Sequence, residues 1–447
     1  MEKVAIIGGG LVGAMQAIYM AQKGFKVDVY ERRDDIRNAL FVAGKSINLA
    51  LSDRGWEALR KIDMEEDIRT ISIPMRGRKI HNLDGSQHFQ PYGIDDQSIW
   101  SVSRGGLNQR LLLKADTYDN CNLFFNHKCT NVDLENTEIT FNFRGKTIKE
   151  KYDRILATDG AFSAVRSRLE RTDRFNYSQY YLEHGYKELL IPSTEEGLHQ
   201  IDPNSLHIWP RGGYMLIALA NLDGSFTVTL FMPFEGEKSF ENLKSDSDIL
   251  AFFEKEFPDA LQLMPDIVED FKTNPTASLV TVKTYPWNYN DTVLLMGDAA
   301  HAIVPFYGQG MNCGFEDCSV LDDLMNEFDN DWSQIAPAYT KARKANGDAI
   351  ADLALRNYIE MRDLTAQPEF LLRKEIEGLF TKKHPDKWLP LYSQVTFSHI
   401  PYSEAVENAK IQDAIMDEVM KIKGIEDKWN STEVESFILD KLNLVAS

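Results

Sequence analysis

The chain predicts an α/β fold: a Rossmann-like nucleotide-binding domain, an inserted antiparallel β-sheet and a C-terminal helical region. Three observations carry that prediction. The apolar run Val4-Ala-Ile-Ile7 leads straight into Gly8-Gly-Gly10-Leu-Val-Gly13, then a helical stretch, then a second strand-like run, Lys26-Val-Asp-Val-Tyr30. Between Tyr180 and Phe234, short alternating runs follow one another, as in strands with one face buried. After Trp332 the apolar spacing is helical.

The first unit has a physical logic. Its first glycine permits the tight strand-to-helix turn, the second lets the backbone approach a pyrophosphate, and the third lets helix pack on strand. The helix predicted over Ala14–Lys23 is stopped by Gly24 and turns unpaired N–H groups towards an anion. Glu31, 18 residues past Gly13, ends the second strand where a carboxylate can accept from a ribose diol. This order predicts a dinucleotide site and does not separate NAD from FAD. Val4 to Ala21 is nearly unbroken apolar sequence and would also suit a signal peptide. The glycines lie where such a segment must be most helical, and Met1-Glu2-Lys3 carries no net positive charge, so a buried strand and helix account for it better.

The bulk numbers set limits. A chain of 447 residues has length for two or three domains, and its 43% hydrophobic and 26% charged content is that of a soluble globular protein. A formal charge of -19 argues against nucleic acid or an anionic membrane as partner. The cysteines Cys121, Cys129, Cys313 and Cys318 show no C-x-x-C spacing and are expected as reduced thiols in a cytoplasmic protein. No late segment reaches the roughly 18 uninterrupted apolar residues of a spanning helix.

Taken in order, Ser46–Ser52 is a predicted strand, and Ser52-Asp53 can cap a helix over Arg54–Ile62. Met75–His81 and Gln87–Gln90 flank Leu83-Asp-Gly85, a hairpin signal. Ser98–Val102 is a strand, and Arg104 opens a helix over Leu107–Ala115. Leu123–His127, Asn131–Asp133 and Glu138–Lys149 form a strand cluster with a turn at Arg144-Gly145. Arg154–Gly160 is an apolar strand ending in Asp-Gly, with a helix over Ser163–Leu169. Asp246–Phe257 is helical, Leu279–Tyr285 returns to the first domain, and Asp291–Met296 is a buried strand. Helices follow over Gly314–Phe328, Ile335–Glu360 and Ser403–Ile422. Thr432-x-x-Glu435 reads as a capping box for a last helix with Val434, Phe437, Ile438, Leu442 and Val445 on one face. The expected domains are a discontinuous nucleotide domain (1–72, 99–175 and 276–328), a substrate sheet (73–98 and 176–275) and a helical domain (329–447).

Three distant stretches share one grammar, an apolar strand with a small or acidic residue at its carboxyl end: Gly8–Gly13, Asp159-Gly160 and Gly297-Asp298. In open α/β sheets such ends gather in one crevice. Asp298 can accept from ribityl hydroxyls, and Gly308-Gln-Gly310-Met-Asn312 offers backbone N–H groups to a flavin ring.

This combination resembles the FAD-dependent aromatic hydroxylases with one dinucleotide domain, and more closely the kynurenine 3-monooxygenase family. The resemblance rests on Val4–Gly13, Lys45–Ser52, Ile73–His81, His207–Arg211, Thr229–Glu235, Gly297–Cys318, Asn357–Arg362 and Val395–Val406. It implies the aromatic hydroxylase fold with tightly bound, non-covalent FAD. NADPH and O2 are the implied co-substrates, and a flavin C4a-hydroperoxide the oxidant that turns L-kynurenine into 3-hydroxy-L-kynurenine. Implied FAD contacts are Val12, Glu31, Arg104, Asp298, Met311 and Asn312; Gly8, Gly10, Gly13, Ala50, Cys129, Asp159 and Gly310 complete that candidate set. Implied kynurenine contacts are Arg78, Tyr92, Asn357 and Tyr402, with Phe231, Phe234, Pro305 and Phe306 as walls and Tyr307 beside them. No catalytic side chain and no metal are expected. The eukaryotic members' C-terminal anchor has no counterpart before Ser447, so a bacterial-type member without a membrane anchor is expected, with a homodimer as the candidate assembly.

Other readings stand beside these. A hydroxylase of another aromatic acid, or a flavin-binding regulator without turnover, would share the nucleotide motifs. Arg76 and Arg78, placed on one face by strand alternation, could both be solvated hairpin charges. His301 is expected as a structural hydrogen-bonder, Cys313 and Cys318 as buried packing residues, and Trp209, Met215 and Met232 as core.

Overall fold

The computed structural model describes residues 2–39, 48–93, 97–364 and 367–446. Lys45, Ser46 and Ile47, part of one strand prediction and of one resemblance, lie outside them, as does the side chain of Val445.

Strands that are apolar on both faces need cover on both, and a parallel sheet supplies it. Val4, Ala5 and Ile6 are fully buried at the centre of a six-stranded sheet. Its order is Asn288–Tyr289, Val293–Leu295, Arg154–Ala157, Lys3–Ile7, Lys26–Tyr30 and Cys121–Phe124. Every pair is parallel except the short terminal hairpin. The helix Leu11–Gln22 makes the first crossover, and Gly310–Glu327 packs beside it. The strands Gly8, Asp159 and Asp298 follow are therefore neighbours, and their carboxyl ends open on one edge.

A seven-stranded sheet forms the second layer. Its order is Ala277–Tyr285, Asn176–Ile191, Phe226–Pro233, Met215–Ala220, Ser205–Pro210, Gly77–His81 and Gln87–Pro91. All its pairs are antiparallel but one: Ser205–Ile208 runs parallel to Gly77–Ile80, where the early hairpin docks on the later strands. Alternation divides its faces. Leu216, Ala218, Val228 and Leu230 pack under the helices Asp246–Glu256 and Ile267–Thr273, against Ile249, Phe253 and Phe271. Met215, Ile217, Leu219, Thr229 and Phe231 point the other way, into a cavity. The domain boundary expected at 276 divides this sheet, because Ala277–Tyr285 pairs along Asn176–Ile191 as its edge.

The helix Trp332–Ile359 leads through a π-helical turn, Glu360–Leu364, to Pro368–Lys383, Leu391–Thr396, Tyr402–Val419 and Thr432–Ala446. Ile376, Phe380, Trp388, Met416, Val419, Val434 and Ile438 form a core shared by Pro368–Lys383, Tyr402–Val419 and Thr432–Ala446, while Ile350, Leu353, Ala354 and Val395 pack against the cavity loop residues Val304 and Phe306 in another. The capping box expected at Thr432 is not formed. Ser431 Oγ accepts from the Val434 N–H at 3.4 Å, and the Glu435 carboxylate accepts instead from Lys383 and His384. Among the described residues no helix is long and apolar enough to cross a membrane.

Candidate active site

A cavity of about 490 Å³ runs from the carboxyl edge of the six-stranded sheet to the inner face of the seven-stranded sheet. At the near end Gly8, Gly10, Val12, Glu31, Cys129 and Asp159 line it; Ala50, Arg104, Asp298, Gly310 and Met311 follow. At the far end are Arg78, Tyr92, Phe231, Pro305, Phe306, Tyr307 and Tyr392.

The near end is backbone architecture. Gly8 has φ +104°, and a Cβ there would lie 2.5 Å from the Thr158 carbonyl oxygen. A Cβ on Gly13 would lie 1.9 Å from the Gly8 carbonyl oxygen, so this glycine serves helix–strand packing and does not line the cavity. A Cβ on Gly10 would meet nothing within 4 Å. Gly10 starts the first helix, and no side chain caps it. Glu31 Oε2 accepts from the Gly9 N–H at 3.0 Å, which holds the carboxylate at the turn. Asp159 Oδ2 accepts from the Ala164 N–H at 2.7 Å, while its buried Oδ1 has no hydrogen-bond partner. Burial raises the Asp159 carboxyl, and it pushes the Cys129 thiol up to about 12, which keeps that thiol protonated. Asp298 is exposed, but into the cavity. The surrounding protein desolvates its carboxyl and raises it, against the pull of Arg104 and His301.

Behind the Gly297-Asp298 turn lies a buried ionic cluster. Asp317 accepts from the Gly297 N–H at 2.9 Å, from His301 Nε2 at 2.6 Å and from Arg343 Nε at 2.7 Å. Burial opposes the Asp317 charge, yet His301 and Arg343 hold the carboxyl down to about 2. His301, Cys313 and Asp317 approach one another closely enough for a metal, but the Arg343 guanidinium already contacts Asp317 and the Cys313 sulfur. Cys313 and Cys318 are buried.

The far end is made of side chains. Arg76 and Arg78 do not share a face: the chain changes sheets between Ser72–Met75 and Gly77–His81, leaving Arg76 exposed and Arg78 buried. The Arg78 guanidinium lies 5.5 Å from the Tyr92 ring centroid and 4.9 Å from that of Tyr392. Its Nε has no hydrogen-bond partner. Burial opposes its charge, but Tyr92, Tyr392 and Glu360 outweigh that and raise its basicity. Tyr392 stacks on Tyr92 (5.1 Å, 12°) and on Tyr307 (5.5 Å, 17°). No motif marks Tyr392; it is brought in by the short helix Leu391–Thr396.

Several expected contacts stand behind the wall. Asn312 Nδ2 donates to the Ala50 and Gly308 carbonyls at 2.8 Å each, and its Oδ1 accepts from the Ser52 N–H, so it ties the 308–312 loop to the strand Asn48–Leu51. Asn357 Nδ2 donates to the Phe306 carbonyl at 2.6 Å. The Tyr402 hydroxyl donates to Gln309 Oε1 at 3.0 Å, with its ring 4.0 Å from the Arg54 guanidinium. Asn357 and Tyr402 thus brace the 305–312 loop; neither lines the main cavity, and Asn357 lines a small second cavity that shares Tyr307 and Tyr392 with it. Phe234 is also turned away, over Gly185. Met215, expected as core, is buried yet forms cavity wall.

The chain matches the family model "FAD binding domain" over residues 1–354. It is 50% identical over 442 residues to a kynurenine 3-monooxygenase of Flavobacterium johnsoniae, covering 98% of each chain. It is 47% identical over 406 residues to that of Sus scrofa, covering 90% of this chain and 85% of the relative. Among solved structures, 2-methyl-3-hydroxypyridine-5-carboxylic acid oxygenase superposes with a TM-score of 0.67 at 18% identity, over 82% of this chain and 94% of that one. PqsL of P. aeruginosa superposes with a TM-score of 0.65 at 17% identity, over 81% of this chain and 97% of that one. Those two likenesses show the aromatic hydroxylase fold, and the identity sustained along the whole chain makes this protein a member of the kynurenine 3-monooxygenase family.

Proposed function

We propose that the cavity binds FAD along its near and middle parts and L-kynurenine at its Arg78 end, and that the protein is an NADPH-dependent monooxygenase forming 3-hydroxy-L-kynurenine. The carrying observation is that one continuous cavity joins the Gly8–Gly10 turn to a buried, incompletely bonded arginine. FAD, when bound and reduced by NADPH, supplies the activation of O2.

The residues present fit that group. The uncapped helix start at Gly10 suits the pyrophosphate, since N–H groups and the helix dipole favour an anion. Glu31 would hold the adenosine ribose, and Asp298 the ribityl chain beside Arg104. Gly310 and Met311 would lie at the ring.

The rest of the work is binding, orientation and exclusion of water. Arg78 suits a carboxylate because its fork can donate two parallel bonds. Tyr92 and Tyr392 pack beside the guanidinium and add hydroxyl donors. Phe231, Pro305, Phe306 and Tyr307 give the aryl ring an apolar wall that keeps water from the oxygen transfer. The substrate's own aryl amine enriches the carbon ortho to it, so no strong protein base is required. Asn357 and Tyr402 keep the 305–312 loop in place.

The test is a steady-state assay on the FAD-loaded protein. Kynurenine should accelerate NADPH oxidation, and 3-hydroxykynurenine should accumulate in step. Consumption of NADPH that yields hydrogen peroxide alone would overturn the assignment.

A further inference from the structure

Arg78, at the far end of the main cavity, and Glu360, which lines the small cavity on the other side of Tyr307 and Tyr392, approach each other without closing a tight pair. Arg78 Nη1 and Glu360 Oε1 are 3.9 Å apart, beyond hydrogen-bond range, with side-chain exposures of 10% and 22%. The other cations around Glu360 are already engaged: Arg356 with Asp413 at 2.7 Å and Lys374 with Glu377 at 3.0 Å. Glu360 opens the π-helical turn Glu360–Leu364, and such one-turn irregularities re-aim side chains at functional sites. It lines a small second cavity that shares Tyr307 and Tyr392 with the main one.

A free α-amino acid carries a carboxylate and an ammonium on one carbon, so its two charges lie on the order of 3 Å apart, close to the spacing of this pair. Laid alongside Arg78 and Glu360, such a head group meets an opposite charge at each end. An aryl acid without the amine would leave Glu360 facing no new cation.

We propose that Glu360 is a specificity-determining residue that receives the α-ammonium of the substrate while Arg78 receives its carboxylate, so that the site selects a zwitterionic α-amino acid over a plain aryl keto acid. This rests on the reading that L-kynurenine occupies the far end. Glu360 has no part in the oxygen transfer; it fixes which acids are held still for it.

The test compares kynurenine with its desamino analogue, 4-(2-aminophenyl)-4-oxobutanoate, which keeps the aryl ketone and the carboxylate. With FAD-loaded wild type, calorimetric affinity and kcat/KM should favour kynurenine by about 10- to 100-fold, the size of one charge-assisted contact. Glu360→Gln should lose most of that preference by weakening kynurenine, with the analogue changed less than about threefold. Glu360→Asp, which keeps the charge, should retain part of it. Equal treatment of the two compounds by wild type overturns the proposal, and this needs no variant to fold. A parallel loss for both compounds in Glu360→Gln also overturns it, assigning Glu360 to holding Arg78. If wild type accepts neither compound, the substrate reading itself falls, which is a different result from accepting both alike.

Discussion

The two ends of the cavity are built by different means. The near end is backbone: three neighbouring strand ends, a helix start and glycines whose missing Cβ atoms are required by contact. The far end is side chains from separate segments, with Arg78, Tyr92, Phe231, Phe306 and Tyr392 drawn from two strands and three loop or helix segments. A backbone site of this kind tolerates no added Cβ at Gly8 or Gly13 but is indifferent to much of its sequence. A side-chain site can be retuned one residue at a time.

The hardest blow to that contrast would come from the glycines. Gly8→Ala places a Cβ 2.5 Å from a carbonyl oxygen at φ +104°. Strain and overpacking each cost roughly 1–3 kcal/mol, so flavin content per chain should collapse. Retained flavin absorbance would show that the turn is not the cradle.

Acid should separate the ends next. Burial holds His207, in the seven-stranded sheet, down to about 4 from 6.5. Between these values the unfolded chain binds the proton and the folded chain does not, so stability rises with pH across that window and falls on acidification. The loss is of the order of 3 kcal/mol by pH 4. Asp317, behind the near end, has the opposite form: its contribution is complete above 3.8 and is lost only as pH falls towards about 2. Folding stability should therefore fall between pH 6.5 and 4, with the ionic cluster around Asp317 giving way only nearer pH 2. Tm measured across that range checks the order, and a Tm that stays flat from pH 6.5 to 4 would remove His207 as its cause.

Arg78→Ala should raise the kynurenine KM steeply and leave FAD content alone. Losing a charge-assisted contact costs about 1.5–3 kcal/mol, or roughly 10- to 150-fold in kcat/KM. An unchanged KM would return Arg78 to a structural part.

The smallest effect sharpens the boundary between wall and support. Tyr402→Phe removes one buried hydrogen bond to Gln309 and should lower stability by about 0.5–1.5 kcal/mol, seen in Tm, with KM nearly constant. Tyr392→Phe should do the reverse. If Tyr402→Phe moved KM instead, the 305–312 loop would have to be counted as part of the binding surface.

Much of the near end was legible because its meaning is local. Whether Gly8 turns, whether Gly13 packs and where Glu31 falls depend on residues within one βαβ unit. The far end was legible only where a motif happened to coincide with a contact. Arg78 and Tyr92 line the cavity, but Asn357 and Tyr402 brace its loop, and Tyr392 carries no pattern at all. Arg76 and Arg78 looked equivalent because alternation assumes one strand, and the chain changes sheets between them. The edge strand Ala277–Tyr285 was read with the wrong layer for the same reason: its pairing with Asn176–Ile191 spans nearly a hundred residues.

By itself the sequence determined the layers, the glycine turn and the acids at the strand ends, because backbone sterics and hydrophobic periodicity act over a few residues. Tertiary structure alone decided which aromatic side chains face the cavity and which prop it from behind. That choice depends on what packs against the other side of each segment, and those partners are set by the docking of helices and sheets far apart in the chain.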